Sequence, residues 1–350
     1  MQAARLFGKE DFRTVEVPEP ESGSADMVLQ TGAALICGTD IRIYSNGLPH
    51  ITPDHPVTLG HEISGTIVRV GAAFADRYQE GMRVAVAPNY GCGVCDRCVS
   101  GNTQLCPNYT AIGIHSDGGF AEFVRIPEQA VRQGNVVPLP DSVSFTEAAM
   151  VEPLSAVYNG FERSHREPGE RVLIFGAGPI GVMHAKLYRA AGAGMIIMND
   201  INEERLKQAK QVEPSITTCV GEEAREVVNE LTGGEGVDIS VTAAPAPAAQ
   251  QLAVELTGLE GRVVLFGGLP KDKAKVPLDS NAIHYKQLWV TGITRQNLRH
   301  YREMLKLIET RVIDLTGIFT HSYKLSEAST AIENARSGVG LRSGFEALAE

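Results

Sequence analysis

Residues 171–181 read RVLIFGAGPIG. A short apolar run of strand character enters a G-x-G-x-x-G turn, and the turn opens a helical stretch. A glycine triplet alone is a weak signal, but between a strand and a helix it has the context a dinucleotide cradle requires. Gly176 permits the tight turn, and Gly178 lets a pyrophosphate approach the backbone. Pro179 and Ile180 begin the helix whose unpaired N–H groups face the phosphates, and Gly181 lets helix and strand pack closely. Asp200 ends the next strand, nineteen residues after Gly181. A carboxylate there accepts the adenosine ribose hydroxyls and repels a 2′-phosphate, which favours NAD over NADP. Arg205, on the following helix, is a candidate to lie against the adenine. The competing reading is a glycine-rich loop in some other α/β protein.

Outward from this motif the pattern repeats. Strand-like runs at 171–175, 195–199, 216–220, 237–242, 262–266 and 287–292 are separated by helical stretches such as 202–211 and 246–257. Such alternation predicts right-handed βαβ crossovers and a doubly wound parallel sheet of six strands. Residues 1–140 differ in texture, with short β-like runs (EISGTIVRVG, MRVAVAP, FAEFVRIP) punctuated by glycine and proline. Near 144 helical spacing begins, with Ser144 as N-cap and Glu147 as its capping-box partner. Helices are expected again near 299–310 and near 326–336, the latter capped by Ser326. The fold expected is α/β, with a mostly-β domain at 1–150, a dinucleotide-binding domain at 151–294, and a return segment at 295–350 that completes the first domain.

The chain has 350 residues, 43% apolar and 21% charged, with a net charge of −10. That composition is globular, and its length suits two domains. An acidic chain has no diffuse attraction for phosphate backbones, so nucleic acid and anionic membrane are not expected partners. The start, MQAARLFGKEDF, has no signal-peptide pattern, and the apolar run AAGAGMIIM is too short to span a bilayer. Cytoplasm is the expected location, where clustered cysteines serve metal more often than disulfides.

Four of the six cysteines fall in CGVCDRCVSGNTQLC, residues 92–106. The spacing C-x2-C-x2-C-x7-C brings Cys92, Cys95, Cys98 and Cys106 around one ion, with Gly91, Gly93 and Gly101 available for tight turns. Four thiolates with no vacancy form a closed, structural zinc site in a lobe at about 88–110. Disulfides and an iron–sulfur cluster are the alternatives; a ferredoxin run places three residues, not seven, before the last cysteine.

Two stretches remain: ICGTD, with Cys37, Thr39 and Asp40, and TLGHEISG, with His61 and Glu62. Alone, Cys37 reads equally as a small buried apolar residue and His61 as a hydrogen-bonded core residue. Taken in order, however, CGTD, GHEISG, the four-cysteine lobe, DGGFAEF and GAGPIG resemble the zinc-dependent medium-chain dehydrogenases. The similarity is greatest to the sorbitol, threonine and polyol-phosphate dehydrogenase branch, and it spans nearly the whole chain. It implies a GroES-like catalytic domain and a Rossmann domain with the active site in the cleft between them. It also implies a homodimer or homotetramer. By the same resemblance Cys37 and His61 bind catalytic zinc, Glu62 coordinates or stands just behind, and Glu152, in VEPLSAVYNG, supplies the third protein position. Zinc with one thiolate, one neutral imidazole and one carboxylate is formally neutral, so Glu62 and Glu152 are not expected to bind together during chemistry. Asp40 is expected to orient His61 through its free ring N–H.

The implied reaction is hydride transfer from a secondary alcohol of a polyol or sugar derivative to NAD, with a polyol phosphate or L-threonine as alternative substrates. Thr39 is the candidate to relay the hydroxyl proton. In many relatives a histidine five residues after the cysteine completes that relay; here the position is Arg42, which cannot accept a proton. Water, His50 or His55 must then serve. Arg42 and Arg295 are candidates for an anionic substrate group, and Tyr44 for a wall of the substrate site. Cys219 reads as a buried thiol. Outside this class, the alternatives are an iron–sulfur electron carrier and a noncatalytic dinucleotide-binding protein.

Overall fold

The computed structural model describes residues 1–21 and 23–348. It divides the chain into two compact units. The first comprises Met1–Ser155, Gln296–Arg311 and Phe319–Glu350; the second comprises Ala156–Arg295 and Val312–Ile318. The first crossover thus falls inside the helix Val151–Arg163, five residues beyond the boundary expected at 150, and a short piece of the tail belongs to the second unit.

In the first unit, glycine- and proline-punctuated runs form two main sheets. The smaller pairs Gln2–Gly8 with Asp11–Glu16 on one side and Val57–Thr58 on the other. The larger runs Val136–Pro138, Arg83–Val86, Glu62–Val70, Met27–Leu35, Arg342–Glu346, Phe319–Tyr323, and Phe123–Ile126 also pairs with Met27–Leu35. The strand Met27–Leu35 is central because it is apolar on both faces and pairs antiparallel with both Glu62–Val70 and Arg342–Glu346. Leu35 faces Glu62 across one ladder and Gly344 across the other. A core of Leu6, Phe12, Ile43, Tyr44, Leu59, Phe120, Ile332 and Phe345 packs on one side of this arrangement. Each such side chain contributes about 1.5–3 kcal/mol by burial.

In the second unit, six parallel strands lie in the order Thr217–Val220, Met195–Asp200, Arg171–Phe175, Val237–Thr242, Thr257–Leu265, Trp289–Gly292. Numbered along the chain this is 3-2-1-4-5-6, the doubly wound order that the alternation of strands and helices predicts. The order reverses between Arg171–Phe175 and Val237–Thr242, and ligands bind at the carboxyl ends of strands at such a switch point.

Local details follow the sequence with two corrections. Ser144 caps its helix, accepting the Glu147 N–H at 3.2 Å while the Glu147 carboxylate accepts the Ser144 N–H at 2.9 Å. The helical stretch that follows is two helices, Phe145–Ala149 and Val151–Arg163. Ser326 is not a cap: it lies within a 3-10 turn, Leu325–Glu327, and the Glu327 carboxylate accepts the Lys324 N–H at 2.9 Å instead. No helix among the described residues is long and apolar enough to cross a membrane.

Candidate metal centre and dinucleotide site

The chain bends sharply before it enters the strand Glu62–Val70. Gly60 has φ +95°, and its carbonyl accepts the Gly119 N–H at 2.8 Å. A Cβ at Gly60 would meet the Phe120 ring at 2.5 Å, and one at Gly113 or Gly118 would meet the Gly60 oxygen at 2.2 Å. The turn therefore needs glycine at all three places. Adjacent side chains on a straight strand face opposite ways. The bend lets both His61 and Glu62, buried at 4% and 0% exposure, reach the same place.

Cys37 meets them there. It is the N-cap of the helix Gly38–Asn46, and its N–H is accepted by Asp40 at 2.8 Å. The second Asp40 oxygen lies 3.3 Å from His61 Nδ1, leaving Nε2 for a ligand. Burial alone would push the His61 imidazole down, but Asp40 and Cys37 hold it well above its ordinary value. The Cys37 sulfur, a His61 nitrogen and a Glu62 oxygen all lie within 4.8 Å of one another. One oxygen of Glu62 is ion-paired with Arg342, itself 4% exposed. The other oxygen, Oε2, is buried without a hydrogen-bond partner. Leaving such an atom unpaired is costly, and a thiolate, an imidazole and a carboxylate are the donor types zinc takes. The trio fits the metal that the sequence implies.

Glu152 lies in the first turn of its helix, 7% exposed, and Gln296 Nε2 donates to its Oε1 at 2.6 Å. It stands outside the trio, near enough for its charge to act on Arg342 and Glu62. Burial would lower the Arg342 pKa, but Glu62, Cys37 and Glu152 together raise it. Arg342 and Gln296 were not foreseen from sequence. The faint signal is an arginine inside the β-like run LRSGFEAL; the strand Arg342–Glu346 is buried on both faces, and the arginine is buried with it.

The second cluster is Cys92, Cys95, Cys98 and Cys106, with sulfurs again within 4.8 Å of one another and all thiols free. The Cys92–Cys98 and Cys95–Cys106 pairs are 4.0 and 3.8 Å apart. A tetrahedron with Zn–S bonds of about 2.3 Å has edges of about 3.8 Å. These sulfurs are too far apart for disulfides and too close for a cluster in which each iron carries its own thiolate. Gly93 and Gly101 have φ +81° and +80°, and a Cβ on Gly91 would strike the Cys98 sulfur at 2.5 Å. Gln129 and Gln133 both donate to the Gly91 carbonyl at 2.7 Å, tying the lobe to the helix Glu128–Gln133.

In the second unit, Gly176 takes φ +110° after the strand Arg171–Phe175, and Gly178 caps the helix Pro179–Ala190. A Cβ at Gly181 would lie 1.8 Å from the Gly176 oxygen, whereas one at Gly178 would meet nothing. Gly181 thus closes the packing, and Gly178 faces open space where a phosphate can approach. Pro179 and Ile180, half-buried, form the first turn. Asp200 accepts the Ala177 N–H at 2.8 Å and the Asn202 N–H at 2.9 Å, which fixes its carboxylate beside the glycine loop. These features fit a dinucleotide. Arg205 is half-buried on the helix Glu203–Val212.

The remaining residues disperse. Thr39 is half-buried and Arg42 exposed, one turn apart on the helix Gly38–Asn46. Tyr44 is not a substrate wall: it is 7% exposed in the core, and its hydroxyl donates to Glu333 at 2.6 Å. Its position on the inward face of an amphipathic helix explains this. His50 lies 3.1 Å from the Ile114 carbonyl and stacks on His115, and His55 turns back on Thr52. Arg295 is exposed at φ +54°, its carbonyl accepting from Asn159 at 2.8 Å. Cys219 is buried.

Comparison with known proteins places the chain in a family. An alcohol dehydrogenase GroES-like domain matches residues 23–141, and a zinc-binding dehydrogenase family matches residues 179–310. Sorbitol dehydrogenase of Bacillus subtilis is 31% identical over 338 residues, 96% of this chain and 93% of the relative. L-threonine 3-dehydrogenase of Photorhabdus laumondii is 33% identical over 339 residues, 96% of each chain. A protein of Sinorhizobium meliloti described as a zinc-binding dehydrogenase and solved bound to NADP superposes with a TM-score of 0.88 at 31% identity, covering 99% of this chain and 98% of that one. With both halves of the chain matched and its relatives aligned almost end to end, the protein belongs to the zinc-dependent medium-chain dehydrogenase family.

Proposed function

We propose that this chain oxidises a secondary hydroxyl of a polyol or sugar derivative to a ketone, with NAD as the hydride acceptor and zinc at Cys37, His61 and one glutamate. The observation that carries the reading is the convergence of Cys37, His61 and Glu62, with the buried, unpartnered Glu62 oxygen among them. When bound, zinc supplies Lewis acidity that lowers the pKa of an alcohol, and NAD takes the hydride.

The chain's own residues do the rest. Cys37 and His61 hold the metal, and Asp40 keeps the His61 ring turned so that Nε2 faces it. Thr39, two residues from Cys37, passes the hydroxyl proton onward by relay, since its hydroxyl is neither acid nor base at neutral pH. Arg42 cannot accept that proton, and the His50 ring lies against the Ile114 carbonyl, so water or the His55 ring, whose backbone N–H rather than imidazole contacts Thr52, takes it from Thr39. Arg42 and Arg295, both exposed, remain candidates for an anionic substituent. Asp200 accepts the ribose hydroxyls and disfavours a 2′-phosphate, Gly176 to Gly181 cradle the pyrophosphate, and Arg205 flanks the adenine. Cys92, Cys95, Cys98 and Cys106 hold a second, structural zinc.

Five of the six cysteines fall in the two candidate metal groups, a cysteine usage that supports a reducing compartment, the cytoplasm. The edge strand Trp289–Gly292, with Trp289 66% exposed near Tyr285 in sequence, supports self-association of the Rossmann units as a homodimer or homotetramer. The function is tested by following NAD reduction across polyols, polyol phosphates and hydroxy amino acids, with metal analysis of the same sample. NADH formation with a polyol and about two zincs per chain is expected. Turnover restricted to L-threonine or to phosphorylated polyols would transfer the assignment to that substrate class, and a metal-free active enzyme would overturn it.

A further inference from the structure

Glu62, which converges with Cys37 and His61, and Glu152, whose charge acts on Glu62, are both buried, and each has one oxygen held by a different kind of donor. Glu62 is held by the guanidinium of Arg342, and Glu152 by the neutral amide of Gln296. The difference in charge matters. Breaking the Glu62–Arg342 pair would strand a charge in the interior, whereas an amide–carboxylate hydrogen bond exchanges at lower cost. Gln296 Nε2 is the donor and the Glu152 carboxylate oxygen the acceptor, so the amide turns its NH₂ to the glutamate.

Gln296 is well placed to hold a fixed position. It is 2% exposed and immediately precedes Asn297, the N-cap of the helix Leu298–Glu309. The Asn297 side chain accepts the His300 N–H at 2.9 Å, and Tyr301, Met304 and Ile308 anchor that helix in the core. The amide therefore projects from a rigid element onto the first turn of another helix, where Glu152 sits.

We infer that Gln296 is a positioning residue that keeps Glu152 out of the metal's donor set, so that Glu62 alone completes Cys37 and His61. The consequence is electrostatic. One thiolate and one carboxylate neutralise a divalent cation, while a second carboxylate leaves a net charge of −1 and a weaker Lewis acid. A neutral amide retains Glu152 without cancelling its charge, leaving it as a reserve. This inference rests on the zinc-site reading above.

The test uses full-length protein carrying cobalt(II) at the Cys37 site, with His61→Ala protein as the blank that subtracts the four-cysteine lobe. Gln296→Met keeps the side chain's length and removes the amide. Glu152 then joins the donor set. The visible ligand-field bands weaken as coordination rises from four to five, and the metal's half-life against a chelator lengthens by about tenfold. Adding Glu152→Gln reverses both changes. Gln296→Asn, which retracts the amide by one methylene, gives the same shift and serves if methionine prevents folding. Bands and metal retention equal to the parent's in both variants, or changes that persist with Glu152→Gln present, overturn the inference while leaving the enzyme's function intact. A parent protein with no His61-dependent cobalt spectrum overturns the zinc-site reading itself, and this inference with it.

Discussion

Arg342 and Glu62 lie 280 residues apart in sequence and form an ion pair with both side chains buried. The pair joins the strand Arg342–Glu346 to the start of the strand Glu62–Val70, whose first residue is the glutamate of the candidate metal site. Removing one member leaves an uncompensated charge, which costs about 3–5 kcal/mol. Arg342→Met is expected to lower stability by that order in urea melts, and adding Glu62→Gln is expected to restore most of it. Equal stability of Arg342→Met and parent would show that the pair does not hold the two elements together.

The two metal clusters are expected to separate by substitution. Parent protein holds two zincs per chain, and Cys37→Ser, His61→Ala and Cys98→Ser each hold one. The first two lower kcat by about three orders of magnitude or more, equivalent to several kcal/mol of lost transition-state stabilisation. Cys98→Ser instead lowers thermal stability and opens the 88–110 lobe to protease. Parent-rate turnover by folded Cys37→Ser and His61→Ala proteins would remove the catalytic role of the trio.

Cofactor choice is expected to turn on Asp200. Asp200→Asn keeps an acceptor for the Ala177 N–H but weakens two charge-assisted bonds to the ribose. A loss of about 1.5–3 kcal/mol corresponds to a fall of roughly 10- to 150-fold in kcat/KM with NAD. Activity with NADP rises relative to NAD because the repulsion of the 2′-phosphate is gone. Steady-state rates with both cofactors measure this, and an unchanged NAD/NADP ratio would place discrimination elsewhere.

Acid sensitivity is expected from His184. Both ring nitrogens are buried without partners on the helix Pro179–Ala190, and burial pushes the imidazole down to about 3. The unfolded chain therefore binds this proton more readily. Stability from the neutral ring is complete above about pH 6.5 and declines as pH falls toward the folded value, by about 2 kcal/mol at pH 5. His184→Leu is expected to flatten that slope, read as denaturant midpoints at pH 7.5, 6 and 5. An identical slope in the variant would assign acid lability to other groups.

Self-association is expected to depend on the sheet edge at Trp289–Gly292. Trp289→Glu adds charge to an unpaired edge, a device that blocks edge pairing. Sedimentation is expected to show the parent as a dimer or tetramer and the variant shifted toward monomer. A parent that sediments as a monomer, or a variant that assembles normally, excludes this edge as the interface.

Much of the second unit is written locally. The order of its strands follows from alternating runs, because each βαβ crossover has one favoured hand and few residues in which to depart from it. Gly176, Gly178 and Gly181 could be assigned individually because each answers a backbone need within six residues. The four-cysteine lobe is equally local: residues 91–106 contain all four cysteines and the glycines that let the chain turn around them. Tyr44 and Ser326 misled because spacing names a helix's neighbourhood without fixing which face packs inward or where its cap falls.

The sequence by itself determined the types of donor available, the glycine turns, the parallel strand order and the kinship carried by five motifs in series. Tertiary structure alone decided how the Glu62 and Glu152 carboxylates are held. Cys37, His61, Glu152, Gln296 and Arg342 come from five separate elements, and no periodicity links them. Whether a buried carboxylate is free, paired to a cation or held by an amide depends on what lies within about 3 Å. In a chain of this length, those neighbours come from hundreds of residues away.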